Sequence, residues 1–304
     1  MYLKIRNFSQ KNKMSILYKI GWRLKFILTQ ALGKNIDAII CSLRRADARS
    51  GVSLMSLLVK NKIIKWDNKN KIFSYKNYKF FYEGHPPSLD IISILSFNED
   101  YIKRNFIQNS AYLFDGPYEK NGFVLSKGDY VIDAGANFGL FAIPANDKVG
   151  RSGKIFAFEP IKKTMHILKK NLVANKTKNV LPIPFALGQN NNILRFSVFK
   201  SRLEESSGFF VKNSYLKEDV QQITLDNFVR KNYIKKINFI KADIEGMERD
   251  LLKGAKNTIQ KFKPKISICI YHRPHDPEVL ERMIKNFVPD YEIFKTKEKL
   301  YAWI

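Results

Sequence analysis

The stretch Val131-Ile132-Asp133-Ala134-Gly135-Ala136-Asn137-Phe138-Gly139 decides the fold. An apolar run ends in an acid and enters a glycine-containing turn, and a helical pattern follows over Leu140–Asp147. This is the order of a parallel strand, a ligand-approach turn and a crossover helix. The turn is spaced Asp-x-Gly-x-x-x-Gly and lacks the Gly-x-Gly step that seats a pyrophosphate on a helix N-terminus. An acid at the strand end suits a cofactor with a cationic amino-acid end, and S-adenosylmethionine carries an ammonium and a sulfonium and no phosphate. The next apolar run, Ile155–Phe158, ends in Glu159-Pro160, twenty residues after Gly139. A carboxylate there can accept both hydroxyls of a ribose.

Outward from this pair, short apolar runs alternate with helical patterns. Strands are predicted over Tyr130–Ala134, Lys154–Glu159, Val180–Leu187, Leu194–Phe199 (a strand or one arm of a hairpin), Ile237–Ala242 and Lys265–Tyr271. Helices are predicted over Thr164–Asn175, Leu225–Lys231, Glu248–Phe262 and Pro277–Asn286, and Tyr291–Thr296 and Leu300–Ile304 read as closing strands forming a hairpin edge. Such alternation predicts a mostly parallel, doubly wound α/β sheet with its function at the C-terminal strand ends.

The N-terminal third reads differently. Helical patterns occupy Ser15–Leu32, about Ile36–Arg45, about Val52–Lys60 and Ser88–Phe106. Lys71–Glu83 alternates and is rich in aromatics, as in a hairpin or two short strands, and Gly84-His85-Pro86-Pro87 breaks the chain after it. The reading is a basic, mainly helical region over residues 1–110 and a catalytic domain over 111–304.

Charge narrows the partners. The 304 residues include 53 Lys and Arg against 28 Asp and Glu, a net charge of +25, and residues 1–36 contain no acid. Phosphate, anionic sugar or anionic lipid would be attracted. The Ser15–Leu32 pattern places Lys19, Arg23 and Lys25 among Trp22, Phe26 and aliphatic residues, a composition suited to an anionic membrane surface or to docking on its own domain. No apolar run reaches the ~18 residues needed to span a bilayer, and lysines and arginines interrupt the only N-terminal apolar stretch, so no secretion signal is expected. A hydrophobic fraction of 45% excludes a disordered chain. Two cysteines, Cys41 and Cys269, form no disulfide framework or zinc cluster by themselves. The expected setting is cytoplasmic, with possible attachment to the inner membrane face.

DAGANFG at 133–139, FAFEP at 156–160, ALG at 186–188, TLDNFV at 224–229 and KADIEGMERDLLKGA at 241–255 together resemble the FkbM family of S-adenosylmethionine-dependent methyltransferases. The resemblance runs from about Phe114 to Ile304. It implies a class I methyltransferase fold, a seven-stranded Rossmann-like sheet with an antiparallel closing strand. It also implies a cofactor site in which Asp133, Gly135, Ala136, Asn137 and Gly139 line the methionine end. Glu159 and Pro160 would lie at the ribose, and Ala186 and Leu187, beside Phe185, at the adenine. Tyr118 and Glu119 match a family stretch ahead of the first strand. Ala242 stands where the family has a bulkier aliphatic residue.

Methyl transfer to a hydroxyl requires a held acceptor and a base. Asp243 and Glu245, two apart at a strand end, share a face in an extended chain and are the first candidates. His272, at the end of the next strand and expected to be neutral near physiological pH, is the second. Asp243 and Glu245 would need a third acid to hold a divalent metal, and none stands out, so no metal is expected. Asp226 reads as a helix cap. Amine-methylating enzymes carry an Asp/Asn-Pro-Pro-aromatic loop, and here Asp243-Ile244-Glu245-Gly246 stands instead. Carbon methylation of cytosine needs a loop cysteine, and Cys269 falls in a strand. An oxygen acceptor remains: by family resemblance, a saccharide hydroxyl of a surface polymer, glycolipid or secondary metabolite, free or lipid-linked. The charge keeps two alternatives, an RNA methyltransferase and a non-catalytic polyanion-binding protein on the same scaffold.

Overall fold

Strands β4 (Tyr130–Ala134), β5 (Lys154–Phe158), β10 (Phe239–Ala242) and β11 (Lys265–Cys269) are buried on both faces along almost their whole length. That is the pattern of parallel strands sandwiched between helical layers. The computed structural model that contains them describes residues 59, 64–83, 118–119, 122–198, 216–296 and 298–304. The helical patterns predicted at 15–32, 36–45 and 88–106, and with them the membrane-facing segment, lie outside these residues. Of Val52–Lys60, Val59 is described, and it is helical.

The main sheet has the order β12–β13–β11–β10–β4–β5–β6. Here β6 is Val180–Ile183, β12 is Glu292–Lys295 and β13 is Lys299–Trp303. β4, β5, β6, β10 and β11 run parallel, while β13 pairs antiparallel with both of its neighbours. This is the class I methyltransferase order. The two closing strands form the expected hairpin edge, with β12 outermost and β13 pairing with β11. From β4 the chain passes outward through β5 and β6, then returns to β10 on the other side. The switch in direction leaves a crevice above the strand tips.

Helices α1 (Ala142–Val149) and α2 (Lys162–Ala174) cover one face. Helices α3 (Leu225–Lys231), α4 (Glu248–Gly254), α5 (Lys256–Phe262) and α6 (Asp276–Phe287) cover the other. The period-two alternation of each strand feeds both cores. Val131 and Ile155 join Phe141 and Leu168 on the first side, and Ile132 and Phe158 join Leu225, Leu252 and Ile284 on the second.

Two sequence expectations change. Val180–Leu187 is not one strand. Pro184 has no N–H for a ladder, so β6 ends at Ile183 and Ala186–Leu187 becomes β7. β7 joins a separate sheet of order β7–β9–β8, with β8 at Asn192–Val198 and β9 at Leu216–Ile223. The helix predicted over Glu248–Phe262 breaks at Ala255, whose φ of −112° leaves the helical region. Gly254 lies so close to the Gly188 carbonyl that a Cβ would come within 1.9 Å of its oxygen.

The predicted hairpin at 71–83 is present as β2 (Ile72–Tyr75) and β3 (Tyr78–Phe81), with β1 (Lys65–Asp67) as a third strand. It shares the core of the larger domain. Phe73 and Phe80 stack at 5.0 Å and are fully buried among residues of α1 and α2. The Asn171 amide on α2 bonds both the N–H and the C=O of Phe81, at 2.7 and 3.0 Å, and Asn175 does the same for Lys79.

Candidate active site

The tips of β4, β5 and β10 open into a narrow cleft with a cavity volume of about 60 Å³. Its lining includes Gly135, Asn137, Glu159, Phe185, Asp243 and Glu245. Gly135 sits at the closest approach of two strand ends. Its φ is +76°, and a Cβ there would lie 1.9 Å from the Asp243 carbonyl oxygen, so only glycine fits. The turn is stitched to β5 by the N–H groups of Gly135 and Ala136, which both donate to the Phe158 carbonyl. Asn137 is left-handed at φ +49°, and its buried Oδ1 has no hydrogen-bond partner.

Glu159 is fixed on the cleft wall. One carboxylate oxygen accepts the Asn137 N–H at 3.1 Å, and the other accepts the Ile161 N–H at 2.9 Å. Burial pushes its carboxyl up to about 7, against the two amide hydrogen bonds that favour the ionised form.

Pro160, Ala186 and Leu187 also line the cleft. Asp133, Ala136, Gly139, Tyr118 and Glu119 are not among its lining residues. Asp133 has no exposed surface and pairs with Lys241 Nζ at 3.0 Å. Burial raises the Asp133 carboxyl despite Lys241. Burial also works against charge on Lys241, and Asp133 and Asp243 outweigh it, holding the ammonium above its usual range. Lys241 in turn donates to the carbonyls of Ala134 and Gly135 at 3.2 and 2.6 Å. The acid predicted to meet the cofactor ammonium instead meets a protein ammonium, and the pair supports the glycine turn from beneath. Glu119 accepts the Leu125 N–H and pairs with Lys148. The Tyr118 hydroxyl donates to Asp243 Oδ2 at 2.8 Å, and its ring lies under Lys299 Nζ at 4.2 Å.

The structure brings Asp243, Glu245 and His272 together. His272 Nε2 lies 3.7 Å from Asp243 Oδ1 and 3.7 Å from Glu245 Oε2. Glu245 is left-handed at φ +53°, a conformation that costs a residue with a Cβ about 1–2 kcal/mol. Such strain concentrates at functional sites. Behind the imidazole, Nδ1 meets Glu248 Oε1 at 2.9 Å, and Glu248 is fully buried. Burial opposes charge on His272, but the Glu248 bond, then Asp243 and Glu245, push it up to about 9. The expectation of a neutral imidazole near physiological pH is thereby corrected. Burial also opposes ionisation of Asp243, yet Lys241, His272, Lys299 and the Tyr118 hydroxyl together hold its carboxyl below the usual range.

Sequence reasoning missed Lys241 and Glu248. A lysine inside the apolar run Phe239-Ile240-Lys241-Ala242 is the signal for the first. Glu248 reads as an ordinary acid in a first helical turn, and its contact with His272 is long-range. Phe158, Phe196, Ile244 and Met247 supply further apolar lining.

Residues 133–292 match the family model of the methyltransferase FkbM domain. The chain belongs to the FkbM methyltransferase family. Among curated relatives, it is 25% identical over 167 residues to the hexuronic acid methyltransferase AglP of Haloferax volcanii, covering 55% of this chain and 66% of that protein. It is 26% identical over 162 residues to methyltransferase sdnD of Sordaria araneosa, covering 43% and 61%. The chain thus spans less than two thirds of either relative. Among solved structures, a methyltransferase FkbM from Methylobacillus flagellatus has a TM-score of 0.49 at 17% identity, over 92% of this chain and 70% of that one. Aeropyrum pernix fibrillarin with bound S-adenosyl-L-methionine has a TM-score of 0.37 at 15% identity, over 59% and 67%.

Proposed function

We propose that this chain is an S-adenosylmethionine-dependent O-methyltransferase acting on a saccharide hydroxyl. The observation that carries the reading is one cleft with two chemically distinct walls. On one wall a backbone-anchored carboxylate, Glu159, faces the space beside a turn that admits no side chain. On the other stand Asp243 and Glu245, with His272 outside the lining and 3.7 Å from a carboxylate oxygen of each.

The first wall fits S-adenosylmethionine. Glu159 would hold the ribose hydroxyls, the Gly135–Asn137 turn the methionine end, and Phe185, Ala186 and Leu187 the adenine. The unpartnered Asn137 Oδ1 supplies an acceptor for an ammonium. When bound, the cofactor supplies an electrophilic methyl group.

The second wall performs the work on the acceptor. Asp243, kept ionised by its cationic neighbours, holds the acceptor hydroxyl in line and receives its proton together with Glu245. The Tyr118 hydroxyl fixes the Asp243 carboxylate. A hexuronic acid is the named substrate of one relative, and the net charge of +25 favours an anionic sugar here. The acid-free segment 1–36 would draw in a lipid-linked or phosphorylated form of such an acceptor.

The test is methyl transfer from labelled cofactor to a panel of neutral sugars, uronic acids and RNA. Labelled uronic acid or neutral saccharide is expected, and RNA as the sole product would overturn the saccharide reading. Asp243→Asn should retain cofactor affinity while turnover drops at least about a hundredfold. Unchanged turnover would remove Asp243 from the chemistry.

A further inference from the structure

Behind the cleft, a buried imidazole nitrogen without a hydrogen-bond partner stands between two carboxylates. Glu248 Oε1 accepts the backbone N–H of Ile244 at 3.0 Å and also meets His272 Nδ1 at 2.9 Å. The Glu248 carboxylate only accepts, so Nδ1 donates to it, and a cation at Nε2 would displace the proton that the imidazolium carries there and meet its lone pair. The His272 side chain is 8% exposed, and Nε2 is buried without a hydrogen-bond partner. It points at Asp243 Oδ1 and Glu245 Oε2, too far from either to bond. The other Asp243 oxygen is taken by the Tyr118 hydroxyl, which leaves Oδ1 to this point. The three ligand atoms lie within 4.8 Å of one another.

We propose that Asp243, Glu245 and His272 bind a divalent transition-metal cation of the Mn²⁺ or Zn²⁺ type. Two atoms 3.7 Å apart can share an ion ~2.1 Å from each, at an angle of ~120°. One imidazole with two carboxylates suits these ions better than the all-oxygen cages of Ca²⁺. Glu248 occupies the place of the carboxylate that orients a metal-ligating histidine through its other ring nitrogen. The third ligand that the Asp243/Glu245 pair lacked in sequence is thus an imidazole from the neighbouring strand end rather than an acid. The inference rests on the proposed function and deepens it: Asp243 and Glu245 line the cleft, Asp243 would act through the ion, the second Glu245 oxygen would receive the proton, and the acceptor would take the open coordination positions. They suit a chelating pair of acceptor oxygens, vicinal hydroxyls or a hydroxyl beside a carboxylate, and the ion acidifies the hydroxyl it holds.

The experiment uses the metal-stripped full chain without cofactor or acceptor, so its failure is separate from any failure of methyl transfer. Mn²⁺ is titrated by the paramagnetic signal of the unbound ion, and Zn²⁺ by calorimetry. A single ion per chain is expected. Glu245→Gln, which alters a partly exposed side chain, should weaken it by at least about tenfold. Glu248→Gln should weaken it by about 10–100-fold without removing a ligand. S-adenosylhomocysteine binding by both variants reports that they remain folded. No binding at millimolar ion, or an affinity unmoved by both substitutions, would overturn the site.

Discussion

If Glu159 holds the cofactor ribose as proposed, its carboxyl couples pH to cofactor affinity. Burial raises it to about 7 from an ordinary value of 4.5. Ribose hydroxyls donate to a carboxylate, so the ionised form is the binding form. With a titration near 7 the apparent affinity falls by a factor of about 11 at pH 6 and only about 1.1 at pH 8, which makes binding about tenfold tighter at the higher pH. Stability moves the other way. A carboxyl whose folded value is raised contributes stability that is complete below its unfolded value near 4.5 and is lost as pH rises through 7. The difference of 2.5 units corresponds to about 3 kcal/mol. Calorimetry with S-adenosylhomocysteine from pH 6 to 8 and urea unfolding over the same range measure the two trends. In Glu159→Gln both pH dependences should flatten, and the variant should gain on the wild type in relative stability as pH rises. A wild-type affinity constant across this range, or one falling with pH, would refute the placement of the ribose on Glu159.

Three further substitutions follow from the packing. Gly135→Ala meets the Asp243 carbonyl and a left-handed backbone together, so it should lower stability by more than about 1–2 kcal/mol and abolish cofactor binding, read by thermal melts with and without ligand. Lys241→Met leaves Asp133 buried and unpaired and should cost about 3–5 kcal/mol in urea unfolding. Adding Asp133→Asn should recover part of it. Asn171→Ala strands the Phe81 N–H and C=O and should cost at least about 2 kcal/mol, with earlier proteolysis within residues 64–83.

The β4–α1–β5 unit was legible because its strands are buried on both faces and carry their chemistry where an apolar run stops. Glu159 and Asp243, singled out that way, both line the cleft. Asp133 obeyed the same signal but serves the scaffold, because its partner Lys241 comes from a strand more than a hundred residues later. Nothing local distinguishes an acid facing a ligand from one facing a buried lysine. β9 was missed because LKEDVQQI carries mostly polar residues, and its pairing with β8 spans an interval that periodicity does not read. The split at Pro184 was readable from the proline. The place of β13 was not, since two amphipathic closing strands fit either order at a sheet edge.

That placement carries a consequence for how the molecule is made. β11 and β12 lie on either side of β13, which is synthesised after both. Until it arrives, β11 presents a row of unsatisfied amides and carbonyls along an apolar edge, open to any passing extended chain. The nascent protein therefore has an interval of self-association risk that ends only when a late segment slots into the gap. Holdase chaperones that mask extended hydrophobic stretches would be most useful to it in that interval.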